Sequence, residues 1–121
     1  MLWWRFRDHG KRQWSVFLVD KLNDEETGAA LWGLTDFEKR HVYILATQPH
    51  NQLADTAIHE LMHVSAGVDE RTDLEHQAEE DFIRRASVGM WRIMSGLGMR
   101  LPPFPEGFRP RAPKRKPRAA R

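Results

Sequence analysis

The chain has 121 residues, 40% hydrophobic and 30% charged, enough for one compact domain with a tail and too few for two cores of ordinary size. It has no cysteine, which excludes disulfides, thiolate zinc ligands and a cysteine nucleophile, so any metal must rest on His, Asp or Glu. The net charge of +2 conceals a division: residues 109–121, RPRAPKRKPRAAR, hold seven Lys or Arg and no acid, leaving 12 bases against 17 acids, or −5, over the first 108.

MLWWRFRDHGKRQW at the amino terminus is too short and too interrupted by charge for a secretory h-region, and no run approaches a membrane span. A cytoplasmic site of action, with no membrane partner, is the expectation. Five Trp point to a core built on large rings. WSVFLVD (14–20) is a β-branched, apolar run that predicts a strand, and KLNDEETG (21–28) a polar loop. ALWGLTD (30–36) and HVYIL (41–45), joined by FEKR, read as a hairpin. The sheet is then small and mostly antiparallel, with three strands, or four if LWWRFR (2–7) joins.

After ATQPHN the period changes. Leu53, Ala54, Ala57, Ile58, Leu61, Val64 and Ser65 fall on one side at 100° per residue, predicting a helix from about Asn51 to Ala66 that Gly67 stops. A second helix starts at TDLE, where Thr72 and Glu75 have capping-box spacing, and runs to about Ser95. Phe82, Ile83, Ala86, Met90, Ile93, Met94 and Leu97 supply its expected buried stripe. LPPFPEGFRP cannot continue a helix. The fold class is therefore α+β, with a domain over 1–108 and a Pro-rich, basic, disordered tail over 109–121. That tail could hold nucleic acid through phosphate contacts, without reading sequence.

The chemistry concentrates in HELMH. His59 and His63, one turn apart, share a helix face from which both imidazoles can reach one ion, while Glu60 points to the side, where it can hold a metal-bound water. Asp55 and Gln52 lie on that face, and residues 51–66 contain no Lys or Arg to oppose a divalent cation. A catalytic zinc takes a third protein ligand. Glu79 lies at the centre of the expected stripe of the second helix, where a carboxylate is costly unless a positive charge meets it. It is the expected third ligand, with His76, Glu75 and Glu80 as alternatives. The longer HExxHxxGxxH pattern fits poorly, since Ala66 replaces its glycine and Asp69 its last histidine, although an aspartate at that place can also bind zinc and Asp69 stays a lesser alternative.

A strand hairpin, then HELMH, then a second helix bearing EHQAEEDFI resembles the compact zincin domains of the ImmA/IrrE-like and SprT-like groups, especially small phage-encoded proteins, over roughly residues 14–98. The ImmA/IrrE-like resemblance implies His59, His63 and Glu79 as zinc ligands and Glu60 as base; the SprT-like one favours His76 as third ligand. Both imply a zinc-dependent metallopeptidase acting on a protein or peptide. Zinc would activate a water, Glu60 would take its proton and pass it to the leaving amine, and the substrate would lie along a sheet edge, for which HVYIL is the expected strand. Tyr43, His41 and His50 are the side chains available for the oxyanion. The alternative is a catalytically inactive, zinc-stabilised binding or virion protein whose tail contacts nucleic acid.

Overall fold

A computed structural model gives the fold; it describes residues 1–66 and 73–109, the side chains of 73–76 excepted. The expected helix stop at Gly67, Asp69, the Thr72 cap, the side chains of Glu75 and His76, and the tail from residue 110 onward lie outside the described residues. Four strands precede two helices: β1 (Leu2–Arg7), β2 (Gln13–Val19), β3 (Gly33–Asp36), β4 (His41–Leu45), α1 (His50–Ala66) and α2 (Asp73–Gly96). The class is α+β, and LWWRFR joins the sheet as its fourth strand.

Strand order is β1-β2-β4-β3. The β1–β2 and β3–β4 pairs are antiparallel hairpins, and β2 runs parallel to β4 with Val16 opposite Val42 and Leu18 opposite Ile44. The sheet is thus mixed, because the chain leaves β2 through a long excursion, 20–40, and lays down β3 before returning beside β2. This order corrects one expectation. HVYIL is an interior strand, and the edge beside α1 belongs to β3.

Alternation along β2 and β4 puts Trp14, Val16, Leu18, Val42 and Ile44 on one face, all buried. Leu53, Ala54, Ala57 and Ile58 of α1 close over them, and the two alanines let helix and sheet approach closely. Large rings flank this core: Trp14 lies edge-on to Phe37 at 5.6 Å near the hairpin turns, and Trp3, toward the other end of β2, stacks on Phe104 at 5.0 Å while its indole nitrogen donates to the Pro102 carbonyl.

Among the described residues, helix α2 packs on α1 and not on the sheet. Its buried side differs from the expected stripe. Ile83 and Ser87 are buried at 2% and 3%, whereas Phe82, Ile93 and Leu97 are exposed at 67%, 62% and 76%. The face toward α1 is rotated past Phe82 toward Ile83 and Ser87, since α1 is one narrow helix and covers only one strip of its neighbour. Among the described residues no helix is long and apolar enough to cross a membrane.

Candidate metal centre between the two helices

The rotation of α2 determines which carboxylates meet the histidines. The apolar side of α1 is held by the sheet, so His59 and His63 are turned toward α2, with side chains 21% and 18% exposed. Facing them are Glu79 and Glu80, in the turn before Ile83. Glu80 spans both imidazoles: its Oε1 lies 3.0 Å from His59 Nε2 and its Oε2 2.7 Å from His63 Nε2. Glu79 Oε1 contacts the other nitrogen of the second ring, His63 Nδ1, at 2.9 Å.

The expected set of His59, His63 and Glu79 is therefore brought together, but with divided roles. Donor atoms of His59, His63 and Glu80 all lie within 4.8 Å of one another, and each offers the type of atom that zinc accepts. Glu79 meets the nitrogen that points away from that cluster, the place of the outer carboxylates that fix ring orientation in metal sites. On this geometry Glu80, expected only as an alternative, is the better placed ligand, and Glu79 the residue that orients His63.

Burial holds the His59 imidazolium below its ordinary range, against the opposing pull of Glu80. Burial thus disfavours the protonated ring, which is the form a metal cannot bind. Asp55, one turn earlier on the same face, has its carboxyl pushed up by burial, with Arg92 acting in the other direction. Among the described residues, Arg84 of α2 approaches the cluster, its Nη2 3.6 Å from Glu80 Oε1.

Glu60 is placed otherwise than its neighbours. It is 6% exposed and lies under β3, where its Oε2 accepts a hydrogen bond of 3.0 Å from the Thr35 hydroxyl. Burial raises its carboxyl to about 7, while the Thr35 hydrogen bond and His63 pull it down. Gly33 makes room for it: a Cβ there would stand 2.7 Å from Thr56 Cγ2 and 2.9 Å from Glu60 Cγ. The buried Gln48 completes the attachment, donating to the carbonyls of Trp32 and Leu45 and accepting from the Thr56 hydroxyl at 2.8 Å.

Gly33, Thr35 and Gln48 were not expected as site residues. A glycine inside a strand pattern signals close backbone approach, so Gly33 had a signal, whereas a threonine in a strand and a glutamine in a loop have none. Tyr43 and His41 point to the opposite face of the sheet, paired with each other at 3.0 Å, and His50 lies against Phe104 at the start of α1. None of these three reaches the cluster. Compared with models of protein families, with curated proteins and with solved structures, the chain matches none.

Proposed function

We propose that the protein is a zinc-dependent peptidase of the minimal zincin kind, acting in the cytoplasm, with His59, His63 and Glu80 holding the metal and Glu60 as general base. The observation that carries this reading is the single carboxylate of Glu80 lying against the Nε2 atoms of both histidines of HELMH, from the neighbouring helix. The donor set fits a divalent ion, being two imidazoles and one carboxylate with side chains mostly shielded from water. A zinc ion bound there would supply Lewis acidity, polarising a carbonyl and lowering the pKa of a water.

The chain's own residues would do the rest. Glu60, held by Thr35 and kept from full ionisation by burial, is poised to accept a proton near neutral pH and to give it to a leaving amine. Strand β3 has one edge free of the sheet and the other paired to β4, so an extended peptide laid along it would lie beside α1. Glu79 would keep His63 Nε2 aimed at the ion.

A second reading is favoured by one observation, the burial of Glu60 under β3 with its carboxylate engaged by Thr35. There Glu60 would serve packing alone and the metal would brace α2 against α1 in a protein that binds and does not cleave. Zinc-loaded protein incubated with casein separates the two. Cleavage abolished in Glu60→Gln, with zinc retained, supports the peptidase; zinc binding without any cleavage supports the second reading.

A further inference from the structure

The outer face of the sheet lies opposite the core and takes no part in the proposed metal centre. By strand alternation the side chains opposite the core are Ser15 and Phe17 of β2, His41 and Tyr43 of β4, Leu34 and Asp36 of β3, and Arg5 and Arg7 of β1. Among the described elements only α1 packs on the sheet, against the other face. Register places Leu2, Phe17, Tyr43 and Leu34 in one row across all four strands. At its centre the rings of Phe17 and Tyr43 stack at 5.7 Å, with His41 edge-on to Phe17 at 4.8 Å. Trp32, whose carbonyl accepts from Leu45 NH, is 50% exposed just beyond the row.

Charge on this face is uneven. Both hairpin turns, 8–12 and 37–40, lie at one end of the sheet, tied together by Arg40 Nε donating to the Gln13 carbonyl. That end gathers the exposed Arg5, Arg7, Lys11, Arg12, Lys39 and Arg40. The carboxylates there are Asp8, Asp36 and Glu38, and Asp8 is already engaged by the Trp14 indole at 2.8 Å and by Arg12. The acids of the 20–26 segment lie at the opposite end. The stacked Phe17 and Tyr43 rings, with His41 beside them and a leucine on each side, next to a basic rim complement a ligand with flat apolar rings and a polyanionic backbone.

We infer that the outer sheet face binds single-stranded nucleic acid, with bases on the Phe17–Tyr43 row and phosphates toward Arg5, Arg7 and the two turns. Duplex is a poor fit, because its bases are already stacked and hidden from such a row, whereas a single strand offers every base to an aromatic side chain. The seven cations of the tail would add contacts to any nucleic acid, single or double, and carry no preference between them. The preference for single strands therefore rests on the sheet.

The test uses the full chain and fluorescently labelled oligonucleotides of twenty nucleotides, oligo(dT), oligo(rU) and a mixed-sequence duplex, followed by anisotropy. A single strand should bind at least tenfold more tightly than the duplex. Phe17→Leu with Tyr43→Leu, chosen to keep the strands apolar, should weaken single-strand binding by about tenfold or more and leave duplex binding unchanged. Arg5→Gln with Arg7→Gln should reduce the slope of log K against log salt for the single strand by about 1.4, the loss of two phosphate contacts. Equal affinity for single strand and duplex, unchanged in both double variants, would assign all binding to the tail and overturn the inference. So would a dimer by light scattering that dissociates in the Phe17/Tyr43 variant while no single strand binds, which would make the face a self-association surface.

Discussion

Thr35 on the edge strand and Glu60 on α1 are joined by a hydrogen bond of 3.0 Å from the threonine hydroxyl to Oε2, and the same hydroxyl stands 3.5 Å from the Glu60 main-chain carbonyl. One side chain thus fixes both the height of β3 over the helix and the direction of the carboxylate. Since hydrogen bonding to the charged form favours it, Thr35 restrains the upward shift that burial imposes on Glu60. Thr35→Val should raise the Glu60 pKa further and move the acid limb of a cleavage pH profile to higher pH, with a loss of stability of roughly 1–3 kcal/mol. The profile is read on zinc-loaded protein, and an unmoved acid limb would deny Glu60 its role as base.

Glu60 also makes the stability of the metal-free protein depend on pH. Its folded pKa of about 7 stands above the ordinary 4.5, so below the lower value both states are protonated and the folded state is not penalised. As pH rises between the two values the unfolded chain ionises first, and stability falls until the folded carboxyl ionises too, by about 3 kcal/mol at most. Urea denaturation in chelator at pH 4.5, 6 and 7.5 should show this decline, and Glu60→Gln should flatten it.

Gly33 has no room for a side chain, because a Cβ would meet Thr56 Cγ2 at 2.7 Å and Glu60 Cγ at 2.9 Å. Gly33→Ala must push β3 away from α1 or displace Glu60. A destabilisation of roughly 1–3 kcal/mol is expected from such overpacking, measured by thermal or urea unfolding. Activity should fall by more than the stability loss explains, because the displaced group is the proposed base.

Much of this arrangement is legible in the sequence. Short apolar, β-branched runs mark β2 and β4, and HELMH declares its own face, because i, i+4 spacing on a helix is enough to bring two rings together. Which carboxylate of α2 meets the two histidines is not legible from periodicity. Helix α2 carries apolar residues on more of its circumference than α1 can cover, so Phe82, Ile93 and Leu97 pull the apparent stripe away from the strip that is buried. Phasing on Ile83 and Ser87 brings Glu80 to the histidines beside Glu79. Strand order was hidden for a different reason: a local hairpin signal says nothing about which edge of the hairpin meets β2, and that choice puts β3, not β4, beside the site.

Glu79 and Glu80 should separate in their effect on metal binding. Glu80→Gln removes a proposed ligand and should weaken zinc affinity most, while Glu79→Gln, which leaves the His63 ring less firmly held, should cost roughly tenfold to a hundredfold. Glu60→Gln should leave affinity nearly unchanged. Competition titration with a chromogenic chelator ranks the three variants, and a larger effect at Glu79 than at Glu80 would return the third ligand to Glu79.

The central claim is that one ion sits between α1 and α2, and the most direct measurement is anomalous scattering at the zinc edge from crystals of the zinc-loaded protein. One dominant peak is expected at about 2.0–2.2 Å from His59 Nε2, His63 Nε2 and a Glu80 oxygen. A dominant peak elsewhere, or none at the histidine pair, would contradict it.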